Sequence, residues 1–427
     1  MPEFAADLHI HSRFCGESSL QMSMQNLLQW APRKGMDLLG TGDCLHPGWS
    51  EELSEYLVED GSGLLRPKQG GALRFALTVE VEAVFLMGER ERRVHLLVVV
   101  PGLGAVEQLR SNLSAHADLG AEVVPSFRMS PSELVARILD ACPHALLAAA
   151  RIWSPCSSVY GSKNEFSSLA ECFGGMVDEV AFVETGLSGD PGMCWRLADL
   201  DGKQLVSASA ASSLRSLGRE CTLFCGDLTF AGLTQALKGL PGTCIQGTIE
   251  RVSELGPFFF NGHRECQIAK SPIETHFEGR RCPACRKQLT IGAFQRMLEL
   301  ATRSPEELDI VVEQGWIRSR KLKTPPFRKS VPLQRIIAAT YGVKGRESRT
   351  VQKVYEKALS GDATERQILF DLAEADLTEC VGQEAAEGIL RVREGYFKVT
   401  PGYDGVWGQL DIFEEFETAE LMQMRLF

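Results

Sequence analysis

Strands alternating with helices over residues 1–245 predict an α/β fold built on a parallel sheet. Two observations carry this. Short apolar runs recur at Asp37 to Thr41, Val94 to Val100, Ala145 to Ala149, Val180 to Thr185 and Leu205 to Ser209, and read as buried strands. Amphipathic segments lie between them. The clearest begins Ser130-Pro131-Ser132-Glu133, a capping box with proline at the first helical position, and continues with Leu134, Val135, Ile138 and Leu139 on one face. A barrel and a doubly wound sheet both fit. In either, the C-terminal ends of the strands carry the chemistry.

From 246 to 302 the texture changes. Gly256-Pro257, then Phe258, Phe259 and Phe260, then clustered His and Cys predict a small metal-held module. A second capping box, Ser304-Pro305-Glu306-Glu307, opens a third region, 303–427. That region is expected to be mostly helical, as over Gln334 to Tyr341 and Thr350 to Leu359, and it closes on the turn-rich Pro401-Gly402-Tyr403-Asp404-Gly405-Val406-Trp407-Gly408. There is no internal repeat.

A chain of 427 residues, 44% hydrophobic and 24% charged, fits a soluble globular protein of two or three domains. No apolar run approaches the roughly 18 residues of a membrane helix, and the start has no basic and apolar signal pattern. A cytoplasmic location without membrane contact is the expectation. Thirteen scattered cysteines are too sparse for a disulfide scaffold and predict reduced thiols plus a metal site. The net charge of −11 argues against a generally basic surface, yet charge can be local. Arg318, Arg320, Lys321, Lys323, Arg328 and Lys329 follow one another with no acid between them, while Glu414, Glu415, Glu417 and Glu420 carry part of the acidic balance. With Trp316 and Phe327 interleaved, the basic stretch is either a solvated loop face or a contact for a nucleic-acid backbone and a stacked base.

The sharpest local signal is Asp7-Leu8-His9-Ile10-His11-Ser12. A His-x-His on a strand turns both imidazoles to one face and makes a chelating edge. Asp43 and His46 in the turn after Gly40-Thr41-Gly42, Glu80 and His95 are candidates to complete a cluster. Imidazoles with carboxylates suit zinc, manganese or iron, and such a centre activates water for attack on phosphorus. The alternative is a strand with two satisfied histidines. Further on, His263-x2-Cys266, fifteen residues and Cys282-Pro283-Ala284-Cys285 show the spacing of a structural tetrahedral zinc. His263 could serve elsewhere, and a chance Cys-x2-Cys is the alternative. Cys221-x3-Cys225 has no partner pair and reads as two core thiols.

In order, the His9-x-His11 motif, Gly40-Thr41-Gly42-Asp43 with His46-Pro47, Glu80 and Val94-His95-Leu96 resemble the polymerase and histidinol phosphatase (PHP) superfamily. The resemblance implies a distorted (βα)7 barrel that holds metals for phosphoester hydrolysis. Gly161-Ser162-Lys163, Glu184-Thr185-Gly186-Leu187-Ser188, Asp190-Pro191, Trp195-Arg196-Leu197, Leu217-Gly218-Arg219-Glu220, Gly262-His263-Arg264, the Cys282 pair and Pro401-Gly402-Tyr403-Asp404-Gly405 resemble its endonuclease Q branch. That branch cuts DNA on the 5′ side of deaminated bases and abasic sites. The resemblance implies His9, His11, Asp43, Glu80 and His95 as catalytic metal ligands with His46 beside them, a divalent ion (zinc, manganese or magnesium), structural zinc, and damaged duplex DNA as partner.

The departures are as specific. A family His is replaced in Ala149-Ala150-Arg151-Ile152-Trp153-Ser154-Pro155, and an Asp and a His in Ser207-Ala208-Ser209-Ala210-Ala211-Ser212-Ser213. The metal set is therefore expected to be reduced. Arg151 cannot ligate an ion, but it can hold a phosphate by a bidentate contact. Three readings stay open: an active endonuclease, a DNA-binding protein that has lost catalysis, and a small-molecule phosphoesterase.

Overall fold

In the computed structural model, strands β1 (Glu3–Asp7), β2 (Leu38–Gly40), β3 (Arg74–Met87), β4 (Arg90–Val100), β5 (Leu146–Ala149), β6 (Val180–Glu184) and β7 (Gln204–Val206) lie side by side in the order β7-β6-β5-β4-β3-β2-β1. The structure describes residues 1–413 except 17, 344 and 346, so the acidic run Glu414, Glu415, Glu417 and Glu420 lies outside the described residues. The two ends of the row meet. Ile10, just past β1, bridges in parallel to Ala211, just past β7, and the His11 N–H donates to the Ala211 carbonyl at 2.8 Å. The ring is a distorted barrel rather than an open doubly wound sheet.

The distortion has a local cause. β3 and β4 form one long antiparallel hairpin, and β4 is antiparallel to β5 as well. The hairpin turns through two residues, and the first, Gly88, holds a φ of 65° that suits a glycine-led tight turn. The polar residues Thr78, Glu80 and Glu82 hide β3 from a search for apolar runs, although all three are buried.

Strand alternation then sorts the side chains. Phe4 and Ala6, Ala76, Leu97 and Val99, Leu146 and Ala148, and Phe182 share one core that fills the ring, closed from below by Phe230, Leu233 and Leu237 of the helix Phe230–Leu237. The same parity carries Glu80, His95 and Glu184 into the layer above this plug. The predicted helix forms as Pro131–Ala141. Only half of its capping box closes: Ser130 Oγ accepts from the Glu133 N–H at 3.2 Å, while the Glu133 carboxylate turns to Arg137 at 3.0 Å. At Ser304 both halves close, on a helix of a single turn, Pro305–Leu308.

The sheet does not stop at the ring. β8 (Cys221–Cys225) runs antiparallel to β1, and β9 (Cys244–Arg251) antiparallel to β8. A meander of β10 (Ile310–Glu313), β11 (Trp316–Ser319) and β12 (Phe327–Ser330) follows, with β12 parallel to β9. After the single turn Pro305–Leu308 the last third continues as sheet, and it becomes mostly helical from Leu333–Thr340 onward. There Leu333, Ile336, Ile337, Tyr355 and Ile389 form a separate core. Among the described residues no helix is long and apolar enough to cross a membrane.

Candidate metal centre

The turns after β2, β5 and β7 bring side chains over the ring by an unusual backbone. Asp43, Arg151 and Ala210 all hold left-handed φ values, 46°, 43° and 44°. Each such non-glycine residue costs on the order of 1–3 kcal/mol, so the surrounding structure must enforce it. At Gly42 (φ 60°) a Cβ would fall 2.2 Å from the Ile10 carbonyl oxygen. Only glycine lets this turn pass so close to the extension of β1, and that closeness sets Asp43 beside His11.

Glu80 is the hub. Its Oε2 stands 3.6 Å from His9 Nε2 and 3.6 Å from His11 Nε2. Its Oε1 lies 2.7 Å from His95 Nδ1 and accepts from Arg151 Nη2 at 2.5 Å. Burial alone would raise the Glu80 pKa, but Arg151, then His95 and His9, hold it well below the usual carboxylate range. On His9, burial opposes the charge, yet Glu184 and Glu80 prevail and push its pKa up to about 10. His11 is pushed up to about 9 against its burial, chiefly by Asp43. Both oxygens of Glu184 take His9 Nδ1, at 2.9 and 3.0 Å, and this turns Nε2 toward Glu80.

Four buried atoms here have no hydrogen-bond partner: His9 Nε2, Glu80 Oε2, Arg151 Nε, and His11 Nδ1, which lies 3.6 Å from Asp43 Oδ1. Buried polar atoms without partners are rare, because each forfeits its hydration. Separations of 3.6 Å are too long for hydrogen bonds. They match donors that would face each other across a divalent ion with ligand bonds of about 2.0–2.2 Å. Donor atoms of His9, His11 and Glu80 lie within 4.8 Å of one another, as do those of His11, Cys15 and Asp43. The residues present therefore fit an ion.

Of the positions singled out in the sequence, His9, His11, Asp43, Glu80 and His95 gather here, and Arg151 joins them as an ion partner. His46 does not. Its Nδ1 accepts from the Trp49 N–H at 3.3 Å, capping the helix Pro47–Tyr56, and its Nε2 lies 3.1 Å from the Gly120 carbonyl. Pro47 at the first helical position is the sequence signal for that cap. Ala210 offers no donor. Ser212 uses its carbonyl to accept from the Ser19 N–H at 2.8 Å. Glu184, Glu82 and Cys15 were missed as site residues. Glu82 lies 3.1 Å from His95 Nε2 and also takes Ser126 Oγ. The sequence signal for Glu184 is its place in Glu184-Thr185-Gly186-Leu187-Ser188, at the C-terminal end of β6.

A second donor cluster lies in the 246–302 region. His263 ends a short strand, Asn261–His263, Cys266 follows in a single 3₁₀ turn, and Cys282 and Cys285 sit on a tight turn. Their four donor atoms lie within 4.8 Å of one another. Against desolvation, the N–H groups of Cys285 and Ala284 draw the Cys282 pKa down toward the thiolate. The basic stretch is split by its strands. Arg318, Arg320, Lys321 and Lys323 are exposed. Arg328 stacks over the Phe370 ring at 4.6 Å, and Lys329 lies 3.5 Å from Asp190.

No family model matches the chain. The uncharacterized protein YqxK of Bacillus subtilis is 28% identical over 429 residues, 96% of this chain and all of that one. The uncharacterized protein MJ0043 of Methanocaldococcus jannaschii is 33% identical over 135 residues, 31% of this chain but 14% of its own length. Among solved structures, the lesion-specific endonuclease PfuEndoQ of Pyrococcus furiosus superposes with a TM-score of 0.81 at 26% identity, covering 99% of both chains. An endonuclease Q bound to a 27-mer duplex with an abasic lesion at its active site gives 0.83 at 27% identity, over 98% of this chain and all of that one. The chain has the endonuclease Q-like fold of the PHP superfamily.

Proposed function

We propose that the chain is a DNA-repair endonuclease that hydrolyses the phosphodiester 5′ of a deaminated base or an abasic site. In this reading a divalent ion (zinc, manganese or magnesium) occupies the barrel end, and a structural zinc is held by His263, Cys266, Cys282 and Cys285. What supports this most is the trio of His9, His11 and Glu80: partnerless His9 Nε2 and Glu80 Oε2 face each other at 3.6 Å, and His11 Nε2 stands 3.6 Å from the same Glu80 oxygen. A divalent ion gripped there polarises a phosphodiester and makes an attacking water more acidic.

The chain's own residues prepare the place. Glu184 fixes the orientation of His9, and Glu82 does the same for His95. The Ser12 N–H anchors Asp43 at 2.5 Å. The apolar plug beneath keeps water out from below and strengthens every charge interaction above it. Exposed Arg318, Arg320, Lys321 and Lys323 supply phosphate contacts, while Arg328 and Lys329 brace the strand that presents them. Residues 1–245 would carry the chemistry, and 246–302 with 303–427 would hold the duplex.

The test is incubation of the purified chain with duplexes containing uracil, hypoxanthine or an abasic site, with magnesium, manganese or zinc. A nick 5′ of the lesion is expected, lost on chelation and in His9→Ala. No nick above a chelated control, across those metals, retires the endonuclease reading. Arg151, Ala210 and Ser212 favour one second reading, a DNA-binding protein without catalysis. That reading predicts lesion-duplex binding of equal strength with and without chelator.

A further inference from the structure

Arg151 stands where a cation belongs. Its Nη2 is 2.5 Å from Glu80 Oε1 and 2.7 Å from His95 Nδ1, and its main-chain N–H donates to Glu184 Oε2 at 3.2 Å. Its Nε is buried without a hydrogen-bond partner. The backbone is clamped from both sides: φ is 43°, and a Cβ at Gly186 would come within 2.9 Å of the Arg151 Cα. A guanidinium stays charged and only donates, so it cannot ligate an ion. It can, however, neutralise the carboxylates that would otherwise recruit one.

We infer that Arg151 is a tethered cation. It fills a second ion subsite, formed by Glu80 Oε1 and His95 Nδ1, and leaves the barrel one exchangeable divalent ion at His9, His11 and Glu80 Oε2. This rests on the reading that the barrel end takes a divalent ion. A second ion drawn to Glu80 Oε1 and His95 Nδ1 would have to stand beside the guanidinium, and like charges at that distance repel strongly where water is scarce. Glu80 Oε1 is also already engaged by Arg151 Nη2 and His95 Nδ1. Ion and guanidinium therefore exclude each other. A phosphodiester entering the site would meet the ion through one non-bridging oxygen and the guanidinium through the other, a geometry that Arg serves well.

The test counts ions in the full-length chain after its cysteine cluster has been loaded with zinc. Manganese is titrated into wild type, Arg151→His and Arg151→Ala, with elemental analysis and electron paramagnetic resonance. The His variant is expected to bind one more manganese than wild type, with an exchange-coupled spectrum in place of the isolated-ion sextet. The Ala variant is expected to gain a weaker ion that millimolar guanidinium displaces; should the His variant fail to fold, this competition decides. No gain in either folded variant, or a coupled pair already in wild type, overturns the tethered cation. The wild-type count speaks separately to function: no manganese in wild type, with a gain in the variants, removes the metal-dependent reading but keeps the claim about Arg151.

Discussion

The two donor clusters differ in how far their donors are already claimed by other side chains. In the His263, Cys266, Cys282 and Cys285 group, the ligand atoms converge with little competition, the chief neighbour being Glu265 at 3.7 Å from His263 Nε2. At the barrel end, Glu80, His9, His95 and Arg151 neutralise one another in a buried net, and only a few atoms stay uncommitted. Donor type and spacing alone do not make two sites equivalent. A cluster with few internal partners depends on its ion for cohesion, whereas a cluster with internal counter-charges can hold its shape and bind an ion more weakly.

The largest effect should come from breaking the first kind. Cys282→Ser is expected to lose one zinc per chain by elemental analysis and to expose 246–302 to limited proteolysis. Structural zinc contributes about 10–16 kcal/mol to small modules, and from residue 276 to 288 Cys282 alone is buried, so little packing there can replace it. Retained zinc and intact protease resistance would make the two clusters alike after all.

Glu80→Gln comes next. It should lower manganese affinity by more than about 100-fold and also lower the melting temperature, because Arg151 and His9 lose the charge that compensates them. Breaking a buried pair costs about 3–5 kcal/mol. Titration calorimetry and thermal denaturation read the two effects separately, and unchanged stability would mean that Glu80 does not hold the net together.

A subtler contrast lies between two buried carboxylates. Glu80 is kept ionised by cations, whereas Glu250 is surrounded by the hydroxyls of Thr185, Ser207 and Thr248 and the nearby Glu220. Burial and then Glu220 raise the Glu250 pKa well above its ordinary value, and burial raises Glu220 to about 7. The folded state thus holds protons that the unfolded chain releases. Their stabilisation is complete below the ordinary carboxylate range and fades as pH climbs through about 7. Glu250→Gln should flatten this slope and raise the melting temperature at pH 8, by roughly 2–4 °C per kcal/mol recovered. An unaltered slope would assign the pH response to other groups.

The barrel strands were readable because each is an apolar run bounded by polar turns, and Val94 to Val100 falls inside β4 while Val180 to Thr185 overlaps β6. β3 was not, since its inward parity is occupied by Thr78, Glu80 and Glu82, which only the barrel interior explains. Glu184 and His9 lie 175 residues apart in sequence, and no local pattern announces that pairing. His46 matched a ligand by type and place, yet it caps a helix. The basic stretch looked uniform because sequence does not show pleating. Once folded into β11 and β12, Arg318 faces outward, and Lys329 reaches toward Asp190.

The left-handed turns at Arg151 and Ala210 bear on how this protein could be re-engineered. A socket whose main chain is already bent for a short polar side chain accepts one without rebuilding. Aspartate tolerates that conformation better than alanine does, so Ala210→Asp would relieve local strain while adding an oxygen donor at the barrel mouth. The backbone at these turns already suits such side chains, so adding a donor there needs a substitution rather than a new main-chain path.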